Sequence, residues 1–173
     1  NYDYLMYADL DMDHPEVVQE LKDWAEWYVG FTGVDGFRMD AVKHIKYDFF
    51  NDWLDTVRAN TGKELFTVGE FWSYDVTKLH NFITATGGRM SLFDAPLHMN
   101  FYSASTGGGN YDMSTLMDNT LMKDQSALAV TLVDNHDTQP CQALESRVQD
   151  WFKPLAYAFI LLRQEGYPNV FHA

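Results

Sequence analysis

The sequence predicts an α/β protein built on parallel strands, and the order of its segments leads to that prediction. Short apolar segments alternate with amphipathic helical segments along most of the 173 residues. This strand–helix–strand order favours a parallel sheet that is covered by helices and joined by right-handed crossovers. Doubly wound sheets and eight-stranded barrels both satisfy the order. The segment TGGGN (106–110) lacks the spacing of a dinucleotide-binding fingerprint, and we expect it to be a flexible loop.

The first predicted element is a helix over DHPEVVQELKDWAEWYVG (13–30). Apolar residues recur at helical spacing from Val17 to Tyr28, and Pro15 suits a first helical turn. Four strand–helix pairs follow. The strands are predicted at VDGFRMD (34–40), LFTVGE (65–70), MSLFD (90–94) and LAVTLVDN (128–135), and the helices at 48–60, 75–83, 111–122 and 151–166. A last strand is predicted to start at NVFHA (169–173). Among the tryptophans, Trp24, Trp53 and Trp151 sit at helical spacing, and we expect them in the core.

Composition and charge limit the classes of function. The formal net charge of -13 repels phosphate backbones and anionic lipid, so we expect neither nucleic-acid nor membrane partners. The longest apolar run, LAYAFILL (155–162), is far shorter than the roughly 20 residues of a membrane span. A single cysteine, Cys141, allows no internal disulfide. The abrupt ends of the sequence suggest a fragment of a longer protein, which we expect to be monomeric.

An arginine and an aspartate stand two residues apart in the strand predicted at 34–40. Because side chains alternate along a strand, Arg38 and Asp40 point one way while Phe37 and Met39 point the other. The apolar pair can face the helices. We therefore expect the charged pair to be buried in a barrel or cleft, at the carboxyl end of the strand.

Two further carboxylates stand at corresponding places. Glu70 ends the strand at 65–70. Asp137 follows the strand at 128–135, and continued alternation would place it on the same face as Val133 and Asn135. One such carboxylate is more commonly an ordinary helix cap, but three in succession favour a site. Double-displacement glycoside hydrolysis needs two carboxyl groups about 5 Å apart, one to attack the sugar and one to donate a proton. Arg38 beside Asp40 suits the nucleophile, and Glu70 suits the proton donor.

Three segments resemble ordered sequence blocks of the α-amylase family of glycoside hydrolases. They are GFRMDAVKHI (36–45), VGEFW (68–72) and LVDNHDTQP (132–140). The opening NYDYLMYADLDMDHP and the later WFKPLAYAFILLRQEGYPNVF are similar to the bacterial liquefying-type members in particular. The resemblance implies a (β/α)8 TIM barrel, of which residues 1–173 would form a part from about strand 4 to the start of strand 8.

The resemblance also implies an activity and roles for individual residues. It implies retaining hydrolysis of internal α-1,4-glucosidic bonds in starch or malto-oligosaccharides, with Asp40 as nucleophile, Glu70 as acid/base and Asp137 as the third carboxylate. Arg38 would support the nucleophile. The residues expected to line the substrate cleft are Lys43, His44 and His136, with Trp72 and Tyr74 stacking on sugar rings. Within the block at the C-terminus, VFHA replaces the usual VFYG of the family, so His172 departs from the pattern.

The N-terminal segment 1–14 is rich in aspartate, with Asp9, Asp11 and Asp13 at alternate positions and Asp3 before them. Such oxygen ligands suit calcium, although a solvated acidic loop explains the pattern equally well. An EF-hand is excluded because His14 stands where that loop needs glycine. The resemblance favours calcium. It implies one ion held by Asp3, Asp9 and the backbone carbonyl of His44, and a neighbouring metal at Asp11 and Asp13, at the junction with an inserted domain.

Several alternatives stay open at this point. An oligosaccharide-specific α-glucosidase or a transglycosylase would keep the three carboxylates. A non-catalytic carbohydrate-binding relative would keep the fold alone, and a calcium-stabilised structural protein would depend on the acidic loop. The fragment by itself is expected to be unstable and inactive, because missing strands would leave apolar faces uncovered. Secreted and cytoplasmic locations in a bacterium are equally compatible with the resemblance.

Overall fold

The structure, a computed structural model, describes residues 10–172, and the chain divides into two compact units. The first unit comprises Asn1–Glu70 with Phe82–Met90, described from residue 10 onward. The second comprises Phe71–Asn81 with Ser91–Ala173, described as far as residue 172. Within residues 10–172, no helix has both the length and the apolar character that a membrane crossing requires.

The first unit contains two helices and two parallel strands. Its elements are α1 (Pro15–Thr32), β1 (Gly36–Met39), a 3-10 turn (Val42–His44), α2 (Tyr47–Thr61) and β2 (Phe66–Gly69). Strand β1 pairs with β2 in a register that runs from Gly36 opposite Phe66 to Met39 opposite Gly69. Gly36 is required by this pairing, because a Cβ there would lie 2.0 Å from the carbonyl oxygen of Phe66.

Packing in the first unit agrees with the predicted alternation of side chains. The ring of Phe37 on β1 packs edge-on against Trp53 of α2, with 5.3 Å between the ring centroids. Trp53 is buried as predicted. Trp24 is exposed, so its predicted place in the core is wrong. It stacks on Tyr28 of the same helix, on a face of α1 that no element among residues 10–172 covers.

Three parallel strands belong to the second unit. Its elements are β3 (Ser91–Phe93), α4 (Ala95–Gly107), α5 (Leu121–Asp124), β4 (Ala129–Leu132), α6 (Lys153–Leu162) and β5 (Tyr167–Asn169), with 3-10 turns at Gly108–Asn110, Met113–Thr115 and Ser126–Leu128. Helix α3 (Val76–Ala85) begins in this unit and ends in the first. Strand β3 pairs with β4, and β4 pairs with β5, both in parallel. The described pairings confirm the predicted α/β class with parallel strands.

Helix α4 replaces the helix predicted at 111–122, which is wrong. Most of that segment is a 3-10 turn and a loop, and only its last two residues enter α5. Asp94 explains the earlier start, because its side chain caps α4 by accepting a hydrogen bond from the Leu97 N–H, and Pro96 suits the first turn. The expected loop at 106–110 is also wrong, since α4 runs into it and a 3-10 turn follows. Trp151 is exposed rather than buried.

Candidate active site

Asp40 and Glu70 stand side by side at the carboxyl ends of β1 and β2. The last paired residues of the two strands are Met39 and Gly69, so Asp40 and Glu70 are the next residues in the same register. Neighbouring strands lie about 4.8 Å apart. The two residues are therefore close at one edge of the first unit, as the alternation of side chains predicts.

Arg38 contacts both carboxylates. Its Nη1 lies 2.9 Å from Asp40 Oδ1, and its Nη2 lies 3.8 Å from Glu70 Oε2. The contact with Asp40 has the short length of a charge-assisted hydrogen bond, whereas the contact with Glu70 is a longer ion pair. One guanidinium thus holds two acidic side chains that come from adjacent strands.

The two carboxylates differ in their environments. The side chain of Glu70 is 10% exposed, while that of Asp40 is 74% exposed and that of Arg38 is 38% exposed. The expectation that Arg38 and Asp40 are buried is therefore wrong for this structure. The physical reason is that β1 pairs with a single strand among residues 10–172, so its other edge is uncovered.

Backbone groups hold Glu70 as well. The N–H of Ala41 donates to Glu70 Oε2 at 2.9 Å, and the N–H of Val42 donates to the Glu70 carbonyl at 3.1 Å. The Glu70 N–H donates to the Met39 carbonyl at 2.8 Å. Ala41 carries no signal in the sequence, because a backbone donor leaves no signature in the side chain.

Lys43 and His44 belong to the 3-10 turn Val42–His44, which Ala41 separates from Asp40. The turn is closed by the His44 N–H, which donates to the Ala41 carbonyl at 3.0 Å. His44 is exposed and Lys43 is half-buried. Both predicted cleft residues are therefore at the same end of β1 as Asp40.

Asp137 and His136 are in the second unit, on a loop rather than on a strand. Strand β4 ends at Leu132, so the strand alternation does not extend to Asp137, and that part of the prediction is wrong. The loop is shaped by Asn135, whose Oδ1 accepts hydrogen bonds from the N–H groups of Asp137 and Thr138 at 2.9 and 3.0 Å. His136 Nε2 lies 3.2 Å from Asp137 Oδ2.

Two buried carboxylates of the second unit were not singled out from the sequence. Asp94 accepts hydrogen bonds from three backbone N–H groups, those of Leu97, Leu121 and Met122, at 3.1, 3.1 and 2.6 Å. Burial raises the pKa of Asp94 to about 6, although the three donors act in the opposite direction. The signal that identifies Asp94 as a cap is its position two residues before Pro96.

Asp134 is the second of these buried groups. Its Oδ1 accepts a hydrogen bond from the Val148 N–H at 3.1 Å, and its Oδ2 lies 2.9 Å from Lys153 Nζ. The contact with Lys153 is an ion pair rather than a well-aligned hydrogen bond. The polar contacts of Asp94 and Asp134 are thus with backbone N–H groups, the Thr138 hydroxyl and Lys153, which are structural partners.

Trp72 and Tyr74, which were expected to stack on sugars, differ in exposure. Trp72 is 6% exposed, its ring centroid lies 5.5 Å from that of His98, and its Nε1–H donates to the Tyr74 hydroxyl at 3.2 Å. Tyr74 is 44% exposed. Tyr74 is thus partly open to solvent and Trp72 is not, and stacking of either ring on a sugar stays a prediction.

His98 fixes the loop after β4 to helix α4. Its Nδ1 lies 2.7 Å from the Val133 carbonyl and its Nε2 lies 2.8 Å from Ser146 Oγ. Burial lowers the pKa of His98, so the neutral imidazole is favoured. A lone histidine in a helical segment gives no signal of this role in the sequence.

The predicted metal ligands are only partly within the described residues. Asp3 and Asp9 lie outside them. Asp11 Oδ1 accepts a hydrogen bond from the Asp13 N–H at 3.0 Å, and the Asp13 carboxylate forms an ion pair with Lys46. Residues 10–172 contain no group of three His, Cys, Asp or Glu side chains that would hold a metal ion. Asp11 and Asp13 therefore do not by themselves fit a calcium site.

Comparison with known proteins extends the geometric findings. The family model "Alpha amylase, catalytic domain" matches residues 1–171. The chain is 73% identical over 172 residues to an alpha-amylase of Geobacillus stearothermophilus, covering 99% of this chain and 31% of that protein. It is 57% identical to a glucan 1,4-alpha-maltohexaosidase of Bacillus sp. (strain 707), covering 99% of this chain and 33% of that protein.

A solved structure agrees on the fold. The crystal structure of an Anoxybacillus alpha-amylase matches with a TM-score of 0.74 and 25% identity, covering 92% of this chain and 36% of that one. The strand–helix order and the parallel pairings are those of a partial (β/α)8 barrel, which confirms the predicted fold. The chain spans about a third of the length of the curated relatives it matches. On this evidence, the chain belongs to the family of alpha-amylase catalytic domains.

Proposed function

We propose that residues 1–173 are a segment of the catalytic barrel of an α-amylase, which cleaves internal α-1,4-glucosidic bonds of starch and malto-oligosaccharides with retention of configuration. The observation that carries the proposal is the contact of one guanidinium, that of Arg38, with the carboxylates of Asp40 and Glu70. Retaining glycosidases need two carboxyl groups about 5 Å apart, and neighbouring positions on adjacent parallel strands meet that need.

Asp40 is proposed as the nucleophile. Its carboxylate attacks the anomeric carbon, and the bond from that carbon to the glycosidic oxygen breaks as the ester bond to Asp40 forms. Arg38 Nη1, 2.9 Å from Oδ1, holds the Asp40 carboxylate in place for this attack.

Glu70 is proposed as the acid/base. It gives its proton to the leaving glycosidic oxygen in the first step and takes a proton from the attacking water in the second. Its 10% exposure supports this role, because enclosure limits exchange of the proton with solvent. The second step releases the sugar with its original anomeric configuration and restores both carboxyl groups.

The remaining predicted residues are assigned to substrate. Asp137 is proposed to stabilise the transition state, and its neighbour His136, 3.2 Å away, is suited to hydrogen-bond a sugar hydroxyl. Lys43 and His44 stand in the turn that follows the proposed nucleophile, which supports a role in the substrate cleft. Tyr74 and Trp72 are proposed to contact sugar rings.

A calcium site is proposed on the basis of the family resemblance alone. The proposed ligands are Asp3, Asp9, Asp11, Asp13 and the carbonyl of His44. The segment 1–14 would lie at the junction with an inserted domain, and the other ligands would come from the rest of the intact protein. No step of the proposed reaction depends on this ion. We further propose that the isolated segment is inactive and that the intact protein is a monomer with no nucleic-acid or membrane partner.

Azide rescue in the intact protein tests the two carboxylate roles separately. Glu70→Ala should lose activity on starch but still consume α-maltosyl fluoride, whose leaving group needs no acid, and added azide should yield the α-glycosyl azide. Asp40→Ala should yield the β-glycosyl azide from the same fluoride, because azide then replaces the missing nucleophile. Wild-type activity of Glu70→Gln on starch, or the same azide anomer from both variants, would overturn the assignment.

Product analysis tests the endo-acting specificity. A ladder of oligosaccharides from soluble starch is expected of the proposed α-amylase. The relative named as a maltohexaosidase favours a second candidate, in which one oligosaccharide length dominates the early products. Glucose as the sole early product would instead identify an α-glucosidase. An intact, folded protein that binds starch without cleaving it would support the non-catalytic alternative.

A further inference from the structure

Ala41, the residue after the proposed nucleophile, has a left-handed backbone with φ 48° and ψ 39°. This region of backbone space is costly for residues with a Cβ and is uncommon outside glycine, asparagine and aspartate. Strain of this kind persists where the surroundings fix the backbone, and it concentrates at functional sites. Ala41 follows β1 by two residues, where the chain leaves the sheet.

The turn at Ala41 directs two successive N–H groups at one residue. The N–H of Ala41 meets Oε2 of Glu70 at 2.9 Å, and the N–H of Val42 meets the Glu70 carbonyl oxygen at 3.1 Å. Without the left-handed residue, the chain would continue in the direction of the strand, and consecutive N–H groups would point to opposite sides. The strained residue is thus what brings a fixed backbone donor to the carboxyl group.

This donor and Arg38 both approach the same oxygen. Arg38 Nη2 lies 3.8 Å from Oε2, the oxygen that also accepts the hydrogen bond from the Ala41 N–H. A proton on Oε2 would compete with these two donors. With the Ala41 N–H and the Arg38 charge at Oε2, a proton on the Glu70 carboxyl group is favoured at Oε1.

We infer that Ala41 is a positioning residue, whose left-handed N–H holds Oε2 of Glu70 so that Oε1 carries the proton delivered to the glycosidic oxygen. The inference rests on the proposed acid/base function of Glu70. It concerns leaving-group protonation only, so its effect should depend on how much acid assistance the substrate needs. A malto-oligosaccharide needs that assistance, whereas α-maltosyl fluoride does not.

The direct test removes the N–H and keeps the side chain. In the intact protein, Ala41 is replaced by L-lactic acid through nonsense suppression, which converts the amide N–H into an ester oxygen. We expect kcat/KM on maltoheptaose, which reports the step that breaks the glycosidic bond, to fall roughly 100-fold, as for a displaced catalytic group, with kcat/KM on α-maltosyl fluoride within about threefold of wild type. The matched control is the equivalent ester at Val42, which removes the donor to the Glu70 backbone carbonyl and should not separate the two substrates.

Side-chain variants give an independent measurement. Ala41→Gly keeps the N–H and relieves the strain, so it should retain activity on both substrates within about twofold. Ala41→Val disfavours the left-handed backbone and should lose maltoheptaose hydrolysis selectively. Asn119→Val places the same β-branched residue at a second left-handed position, with φ 55°, which is exposed and lies in the second unit, and this variant should not be selective.

The outcomes separate the inference from the proposed function. If kcat/KM of Glu70→Gln itself fails to discriminate between maltoheptaose and the fluoride, the acid/base function is wrong. If Glu70→Gln discriminates and the Ala41 ester does not, the positioning role alone is wrong. Equal losses on both substrates for the Ala41 ester, or the same selectivity in the Val42 ester or Asn119→Val, would also overturn the role of Ala41.

Discussion

The two units of the chain use carboxylates in contrasting ways. In the first unit, Asp40 and Glu70 share the side chain of Arg38, and Asp40 is largely open to solvent. In the second unit, Asp94 and Asp134 are enclosed, and backbone N–H groups or a lysine occupy their oxygens. Glu70 and Asp94 illustrate the contrast, because each directly follows a strand.

Asp94 and Glu70 differ in the hydrogen-bond donors around their carboxylates rather than in their position after a strand. Asp94 accepts three backbone N–H bonds, so its oxygens are committed to capping α4 and α5. Glu70 accepts one backbone N–H, at Oε2, among residues 10–172, which is compatible with the proposed role of Oε1. A carboxylate after a strand is therefore structural when backbone donors saturate it, and is available for reaction when they do not.

The largest expected effect is the loss of activity in Asp40→Asn. Removing a nucleophile should lower kcat by roughly 10⁴-fold or more in the intact protein. Stability should change little, because the partly exposed Arg38–Asp40 pair contributes little to folding. Starch hydrolysis and thermal unfolding measure the two effects. Asp48 is an exposed aspartate of the same unit, so Asp48→Asn is the control and should alter neither starch hydrolysis nor thermal unfolding. A large fall in the melting temperature of Asp40→Asn would contradict the contrast between the two units.

Asp134→Ala should show the opposite pattern, with a loss of stability and no direct role in the reaction. It leaves the Lys153 ammonium without the carboxylate 2.9 Å away and frees the Val148 N–H. Breaking such a buried pair costs about 3–5 kcal/mol in the free energy of unfolding. Denaturant titration measures this cost. In the double variant with Lys153→Met the cost should be smaller, and additive losses in that cycle would argue against coupling between the two side chains.

The contrast also shows how much of the fold and of the candidate site could be predicted from the sequence. Alternation along β1 and β2 correctly predicted that Asp40 and Glu70 share an edge, because a short paired strand has no freedom to change its period. The same argument extended to Asp137 was wrong, since β4 ends at Leu132 and Asn135 turns the chain. Helix α4 was missed because its apolar residues surround the helix, which hides the helical periodicity.

Asp94 should give the second unit a characteristic pH dependence. Burial raises its pKa to about 6, above the value near 3.9 in an unfolded chain. The folded state thus binds more protons between these values, and the contribution to stability is complete below about pH 4 and is lost as the pH rises to about 6. The loss is at most about 3 kcal/mol, since one pKa unit corresponds to ~1.36 kcal/mol.

Denaturant titrations of the intact protein at pH 4.5 and 6.5 measure this dependence. Asp94→Asn cannot titrate, so the difference in unfolding free energy between the two pH values should shrink relative to wild type. The variant should also be less stable at both, because its amide N–H₂ opposes one of the three backbone donors. An unchanged pH difference in Asp94→Asn would mean that the three donors outweigh burial and keep Asp94 ionised.

The smallest expected effect belongs to Asp55 of the first unit, and its pH dependence has the opposite sign. Arg89 holds this carboxylate with two hydrogen bonds of 2.9 Å, and these bonds lower the pKa of Asp55. Its contribution is therefore present above the unfolded value near 3.9 and is lost as the pH falls through the lower folded pKa. Because Asp55 is largely exposed, we expect Asp55→Asn to lower the melting temperature by roughly 1 °C at neutral pH.

Added salt distinguishes the effect of Asp55→Asn from the effect of replacing a carboxylate whose hydrogen-bond partners are uncharged. The Asp55–Arg89 attraction is screened, so the difference between wild type and Asp55→Asn should disappear near 1 M NaCl. Asp112 also has a lowered pKa, but its partners are the N–H and hydroxyl of Ser114, at 2.9 and 2.7 Å. Hydrogen bonds to a neutral residue persist in salt, so the effect of Asp112→Asn should persist as well. Equal salt sensitivity in the two variants would show that long-range charge, rather than the local donors, sets the contribution of these exposed carboxylates.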